Sequence, residues 1–100
     1  MEAILYAKHT ENEGHVYYSF TILLEKRSLA GVIIFDKKNP HGHKRPNFVA
    51  EAKNFLNEML LKEKSEGIQF YPKKYNLKRQ EKVLYSLKFK KIDKFKYKLP

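Results

Sequence analysis

The strongest pattern in the chain is an alternation of apolar and polar positions that begins at Val16. Val16, Tyr18, Phe20, Ile22 and Leu24 fall on one side of an extended segment, and Tyr17, Ser19, Thr21 and Leu23 on the other. That is the period of two which a pleated strand imposes, so Val16–Lys26 is predicted to be a strand. Ile4–Lys8 is a shorter β-like run. The polar stretch between them, His9–His15 with Asn12, Glu13 and Gly14, suits a hairpin turn. After Arg27-Ser28, residues Leu29–Phe35 are apolar on both sides, as in a strand buried on both faces.

From Asp36 to Pro46 the chain is punctuated by Asn39-Pro40, Gly42 and Pro46, which predicts a loop leading into a helix. The period then changes. Phe48, Val49, Ala52, Phe55, Leu56, Met59 and Leu60 recur at three- and four-residue spacing, with Glu51, Lys53, Asn54, Glu58 and Lys62 opposite them. This predicts an amphipathic helix over about 47–64, lying on the sheet and ended by Glu66-Gly67. Ile68–Tyr71 reads as a fourth strand before Pro72. Lys73–Lys82 is polar, a loop or a short helix. Val83, Tyr85, Leu87 and Phe89 alternate with Leu84, Ser86, Lys88 and Lys90, and Phe95, Tyr97 and Leu99 alternate with Lys94, Lys96 and Lys98. Two strands joined by a turn near Lys91–Asp93 follow from that alternation.

The expected fold is α+β: an antiparallel sheet of about five or six strands with one long amphipathic helix packed on one face, in the order β-β-β-α-β-β-β. With 100 residues and no internal repeat or linker, residues 1–100 form a single domain. Only one helix is expected to cover the sheet. Tyr17, Leu23, Val32 and Ile34 lie on the opposite strand faces from Phe20, Ile22, Ile33 and Phe35. An uncovered apolar face predicts a homodimer, unless the segment from Ile68 to Leu99 folds back over it.

Composition narrows the chemistry. The chain has no cysteine, which excludes disulfide frameworks, zinc ribbons and thiol catalysis and fits a reducing compartment. Met1-Glu2-Ala3-Ile4-Leu5-Tyr6 has an acid where a signal peptide would be basic, and no apolar run is long enough for a membrane span. A cytoplasmic protein with no membrane partner is expected.

Charge changes the picture more. The formal net charge is +10, and it is concentrated: residues 68–100 hold eleven Lys/Arg against two acids, whereas residues 1–36 hold three against five. Such localisation is the footprint of a polyanion-binding surface. Period two would place Lys88, Lys90, Lys94, Lys96 and Lys98 on one face of the terminal hairpin and its apolar residues on the other. The competing explanation is an edge strand lined with lysine to prevent aggregation. Lys73, Lys74, Lys78 and Arg79 extend the same surface. Tyr71 and Tyr75 flank Pro72-Lys73-Lys74 as candidate stacking residues. Lysine-dominated binding reads the backbone and little of the base sequence.

A second candidate is the anion-binding loop Lys37, Lys38, His41, His43, Lys44 and Arg45, which opens onto a helix N-terminus. His41 and His43 have no cysteine or carboxylate cluster to complete a metal site, and neither a metal nor a cofactor is expected. They keep a metal-independent ribonuclease among the readings, although no nucleophile motif, Gly-rich phosphate loop or carboxylate pair is present and no catalytic residue is assigned. The expected function is therefore a small basic protein binding DNA or RNA, with an enzyme less favoured. The alternative partner is an acidic protein surface, as for an interaction module or host-protein inhibitor of a phage or mobile element.

Overall fold

The computed structural model describes residues 1–36, 45–68 and 71–100, with Phe35, Asp36 and residues 45–47 in backbone only. The elements are β1 (Glu2–Asn12), β2 (His15–Leu23), β3 (Ser28–Asp36), α1 (Arg45–Glu66), α2 (Leu77–Ser86) and β4 (Lys90–Lys96). The four strands make one antiparallel sheet in the order β3-β2-β1-β4.

β1 and β2 follow the alternation; β3 forms where the apolar run predicted it but is not buried on both faces, because Val32 and Ile34 are exposed. β1 and β2 pair from Ile4↔Leu23 to Asn12↔His15, joined by the two-residue turn Glu13–Gly14, so β1 runs four residues beyond Lys8. β2 and β3 pair without interruption from His15↔Asp36 to Leu23↔Ser28. In the middle of β3, Gly31 lies opposite Phe20, whose ring lies over it; a Cβ there would stand 2.5 Å from Phe20 Cζ. Glycine makes room for the ring, an accommodation of the kind seen where a strand is approached closely.

The helix read from the three- and four-residue spacing is α1, extended at both ends, with Pro46 in the first turn where its missing N–H is harmless. It covers one face of the sheet. Phe48, Ala52, Leu56 and Leu60 pack on Ala3, Leu5, Ala7, Phe20, Ile22, Leu24 and Tyr97, with Phe55 edge-on to Phe20. Its C-terminal turn is tied to the β2–β3 connection by Arg27, 7% exposed, whose guanidinium forks onto both carboxylate oxygens of Glu63.

The last third departs from expectation. The sheet has four strands rather than five or six, and a second helix replaces the first arm of the expected terminal hairpin, giving the order β-β-β-α-α-β. Ile68 and Tyr71 belong to no strand, and residues 69–70 lie outside the described residues. Residues 77–86 are helical because Asn76 caps them, its side chain accepting the Arg79 N–H at 3.1 Å, and because Leu77 and Leu84 meet on one side at the helical spacing. The alternation of Val83, Tyr85 and Leu87 was coincidental: these three are exposed, and Leu84, expected on the polar side, is buried. α2 packs on the second face of the sheet, where Leu84, Leu77 and Phe89 close over Ile4, Tyr6 and Leu23. The molecule is thus a sheet between a long helix and a short one. Among the described residues no helix is long and apolar enough to cross a membrane.

Candidate nucleic-acid interface

Seven of the eleven cations of the last third sit on two elements, α2 and β4, and a β-bulge decides which way the strand's lysines point. β4 pairs with β1 as Glu2↔Lys96, Ala3↔Phe95, Ile4↔Lys94 and Leu5↔Asp93, then shifts by one, so that Tyr6 pairs with Lys91 and Ala7 with Lys90. Directly opposed residues share a face. Lys91, Lys94 and Lys96 therefore project on the side of Ile4 and Tyr6, which is the side of α2. Lys90, opposite Ala7, goes to the side of α1, and Ile92 and Phe95 pack into the core beneath that helix. The expected ladder is corrected accordingly: Lys94 and Lys96 share a face, Lys90 does not belong to it, and Lys91 joins it. An unbroken period of two cannot anticipate this, because an extra residue inverts every side chain beyond it.

α2 adds Lys78, Arg79 and Lys82, all exposed on the side away from Leu84. Lys88 follows at the helix C-terminus, exposed and with a φ of 70°. Lys98 lies beyond the end of β4, exposed, and Lys73 and Lys74 are exposed in the segment before α2.

Both acids of this third are engaged by side chains outside the basic set. Glu81 points inward and accepts the Tyr6 hydroxyl at 2.8 Å. Burial first, and then that hydrogen bond, holds the Tyr6 hydroxyl well above the ordinary tyrosine range. Asp93 faces α1, where its carboxylate is 3.3 Å from Lys53 Nζ, itself 5.0 Å from the centre of the Phe95 ring. On the α2 side Glu2 is 3.1 Å from Lys94 Nζ. Lys78, Arg79, Lys82, Lys88, Lys91 and Lys96 have no ion pair among the described residues.

The candidate aromatics separate. Tyr75 is a brace: its hydroxyl donates to the Leu24 carbonyl at 2.6 Å, and burial pushes its pKa up to about 12. Tyr71 is half exposed, with Lys26 Nζ 5.6 Å from its ring centre. Neither lies on α2 or β4. Tyr85, which pattern reading assigned to the core, instead stands exposed among the α2 cations, edge-on to Tyr6 at 5.7 Å. The signal that would have found α2 was Asn76 followed by Leu77, Glu81 and Leu84 at helical spacing.

The loop candidate falls outside this description. Lys37, Lys38, His41, His43 and Lys44 lie outside the described residues, and Arg45 enters only as backbone at the start of α1. The two described histidines sit at the far end of the β1–β2 hairpin from α2. His9 Nε2 is 3.8 Å from Glu11, with its ring against Tyr18, and His15 lies edge-on to Tyr17. No cluster of three metal-ligating side chains occurs among the described residues. Comparison with protein families, curated proteins and solved structures yields no match.

Proposed function

We propose that this protein binds nucleic acid through its backbone phosphates, on the face formed by α2 and the α2 side of β4. The observation that carries the reading is the segregation of charge. Lys78, Arg79, Lys82, Lys91, Lys94 and Lys96 share one side of the sheet; of the acids on that side Glu81 is turned under α2 to accept from Tyr6 and Glu2 is paired with Lys94, while Asp93 is engaged by Lys53 on the α1 side. Lysines kept only to block an edge strand would serve equally with neighbouring acids, as mixed charges also discourage pairing. Cations in excess of their acidic neighbours raise the local potential and favour displacement of counterions from a polyanion. The binding is weakly sequence-selective, because lysine supplies a point charge rather than a fork that reads base edges.

The test is retention of single- and double-stranded DNA and RNA across a salt series. Lys82→Gln, Lys91→Gln and Lys94→Gln combined should weaken binding and lower the log–log salt slope by about 2–3, as expected for the loss of three phosphate contacts. Lys62→Gln with Lys64→Gln, on exposed positions of α1, should leave the slope unchanged. No binding at low salt, or an equal loss from both variants, overturns the proposal. The exposed Val83, Tyr85 and Leu87 beside these cations favour a second reading, an acidic protein surface that takes apolar anchors as well as charge. On that reading oligonucleotides are not retained.

A further inference from the structure

The two outer strands of the sheet are finished differently. β4 carries Lys90, Lys91, Lys94 and Lys96 and a bulge, devices that discourage a further strand from adding on. β3 has neither. Its nine residues, Ser28-Leu-Ala-Gly-Val-Ile-Ile-Phe-Asp36, contain no lysine and no proline, keep an uninterrupted register against β2, and hold their one charge at the end. Among the described residues nothing but β2 pairs with it. On the α2 side Val32 is 58% and Ile34 61% exposed, because α2 reaches Leu23 but not the third strand.

We infer that β3 is the contact edge of a symmetric homodimer, in which two copies pair antiparallel about Val32 into an eight-stranded sheet. This inference does not rest on the nucleic-acid reading. A second copy suits the edge because the strand is complementary to itself. Centred on Val32, the pairing sets Ala30 opposite Ile34 and Gly31 opposite Ile33, and Asp36 meets Ser28 rather than its own counterpart. Apolar positions thus face apolar positions, and no like charges oppose each other. The distribution of charge also permits it. Two chains of net charge +10 repel, but residues 1–36 carry five acids against three cations, and β4, with Lys90, Lys91, Lys94 and Lys96, lies at the other edge. Pairing through β3 leaves the two β4 strands seven strand spacings apart, about 34 Å, against a screening length of about 10 Å at 0.1 M salt.

The chain has no cysteine, so a single substitution gives a clean cross-link. On the two-fold axis the Val32 positions face each other within disulfide reach, and Val32→Cys should oxidise quantitatively to a covalent dimer. In the same register the two Ala30 positions are about 14 Å apart, beyond disulfide reach, so Ala30→Cys should not cross-link. Light scattering at micromolar concentration should give the unmodified protein a mass of twice 12.0 kDa. Val32→Lys, at a position exposed in the single chain, should return it to 12.0 kDa with an unchanged circular dichroism spectrum. A single-chain mass for the unmodified protein overturns the inference. So does a dimer that Val32→Lys leaves intact, or in which Ala30→Cys cross-links as readily as Val32→Cys.

Discussion

α1 and α2 end in the same backbone motif with different residues in it. At the end of α1, Ile68 N–H bonds the Glu63 carbonyl at 3.0 Å and Gly67 N–H bonds Lys64 at 3.3 Å; at the end of α2, Phe89 N–H bonds Leu84 at 2.9 Å and Lys88 N–H bonds Tyr85 at 3.1 Å. Both are Schellman closures, and both require a left-handed residue, at φ 67° for Gly67 and 70° for Lys88. The long helix uses the residue that suits the backbone, and the short helix uses a cation. The same division holds along their lengths. α1 buries Phe48, Ala52, Leu56 and Leu60 and completes the main core, whereas α2 buries one leucine and exposes Lys78, Arg79 and Lys82. One helix builds the core and the other leaves most of its side chains at the surface.

The contrast predicts unequal responses to equal truncations. Leu56→Ala, at a position with no exposure, should cost about 3–5 kcal/mol and lower the stability of the whole domain. Leu84→Ala should cost about 2–3 kcal/mol, and much of its effect should be local, with amide exchange accelerated in 77–89 while β2 and α1 stay protected. Equal protection losses in both helices would mean that α2 belongs to the same cooperative unit as α1.

Next in size is the ion pair beneath α1. Glu63→Gln leaves the Arg27 guanidinium, 7% exposed, without its counter-charge. Denaturant unfolding should show a loss of about 3 kcal/mol, the low end for a broken buried pair, because Glu63 keeps some contact with solvent. Arg27→Met, which removes the buried charge itself, should cost less than Glu63→Gln.

How much of this was legible beforehand divides along the same line. β1, β2 and α1 are legible because each carries a periodic apolar stripe that the core selects; β3 is legible as a strand from its apolar run, but that run hides which of its faces is left exposed at Val32 and Ile34. The last third misled for two reasons. Val83, Tyr85, Leu87 and Phe89 mimic a strand although three of them face solvent, so their spacing carries no information about burial. The bulge at Ile92 depends on the register with β1, a long-range property that no local window contains, and it exchanged Lys90 for Lys91 on the candidate face. The concentration of positive charge was visible in the sequence. The engagement of Glu81 by Tyr6 and of Asp93 by Lys53 was not.

A smaller effect sharpens the role of the Tyr6–Glu81 contact under α2. Tyr6→Phe removes the hydroxyl that donates to Glu81 and should cost about 1–2 kcal/mol. It should also change the alkaline limb of stability. The hydroxyls of Tyr6, Tyr75 and Tyr97 are all raised above their ordinary value of 10.0, in each case chiefly by burial. The folded state therefore holds these protons after the unfolded chain has released them. That preference contributes fully below pH 10 and is lost as the pH rises from 10 through about 12, the value for Tyr75. Stability should fall over that window, and less steeply in the Tyr6→Phe variant, which has one fewer such tyrosine. An identical slope in the two proteins would show that Tyr6 titrates freely in the fold.

The smallest predicted change is an exchange between the two helix ends, and it separates packing from surface most directly. Nothing lies within 4 Å of a Cβ placed on Gly67, so Gly67→Lys suffers only the left-handed backbone penalty, about 1 kcal/mol. Lys88→Gly relieves the corresponding strain at α2 and should stabilise by about 0.5–1 kcal/mol, visible as a higher midpoint of thermal unfolding. If lysine occupies that position for its charge, the more stable variant should bind oligonucleotide more weakly, and its log–log salt slope should fall by about 0.7–0.9. Gly67→Lys adds a cation at the end of α1, outside α2 and β4, and should destabilise without tightening binding. A stabilised Lys88→Gly protein with unaltered binding would detach Lys88 from the interface, leaving Lys78, Arg79, Lys82, Lys91, Lys94 and Lys96 to account for it.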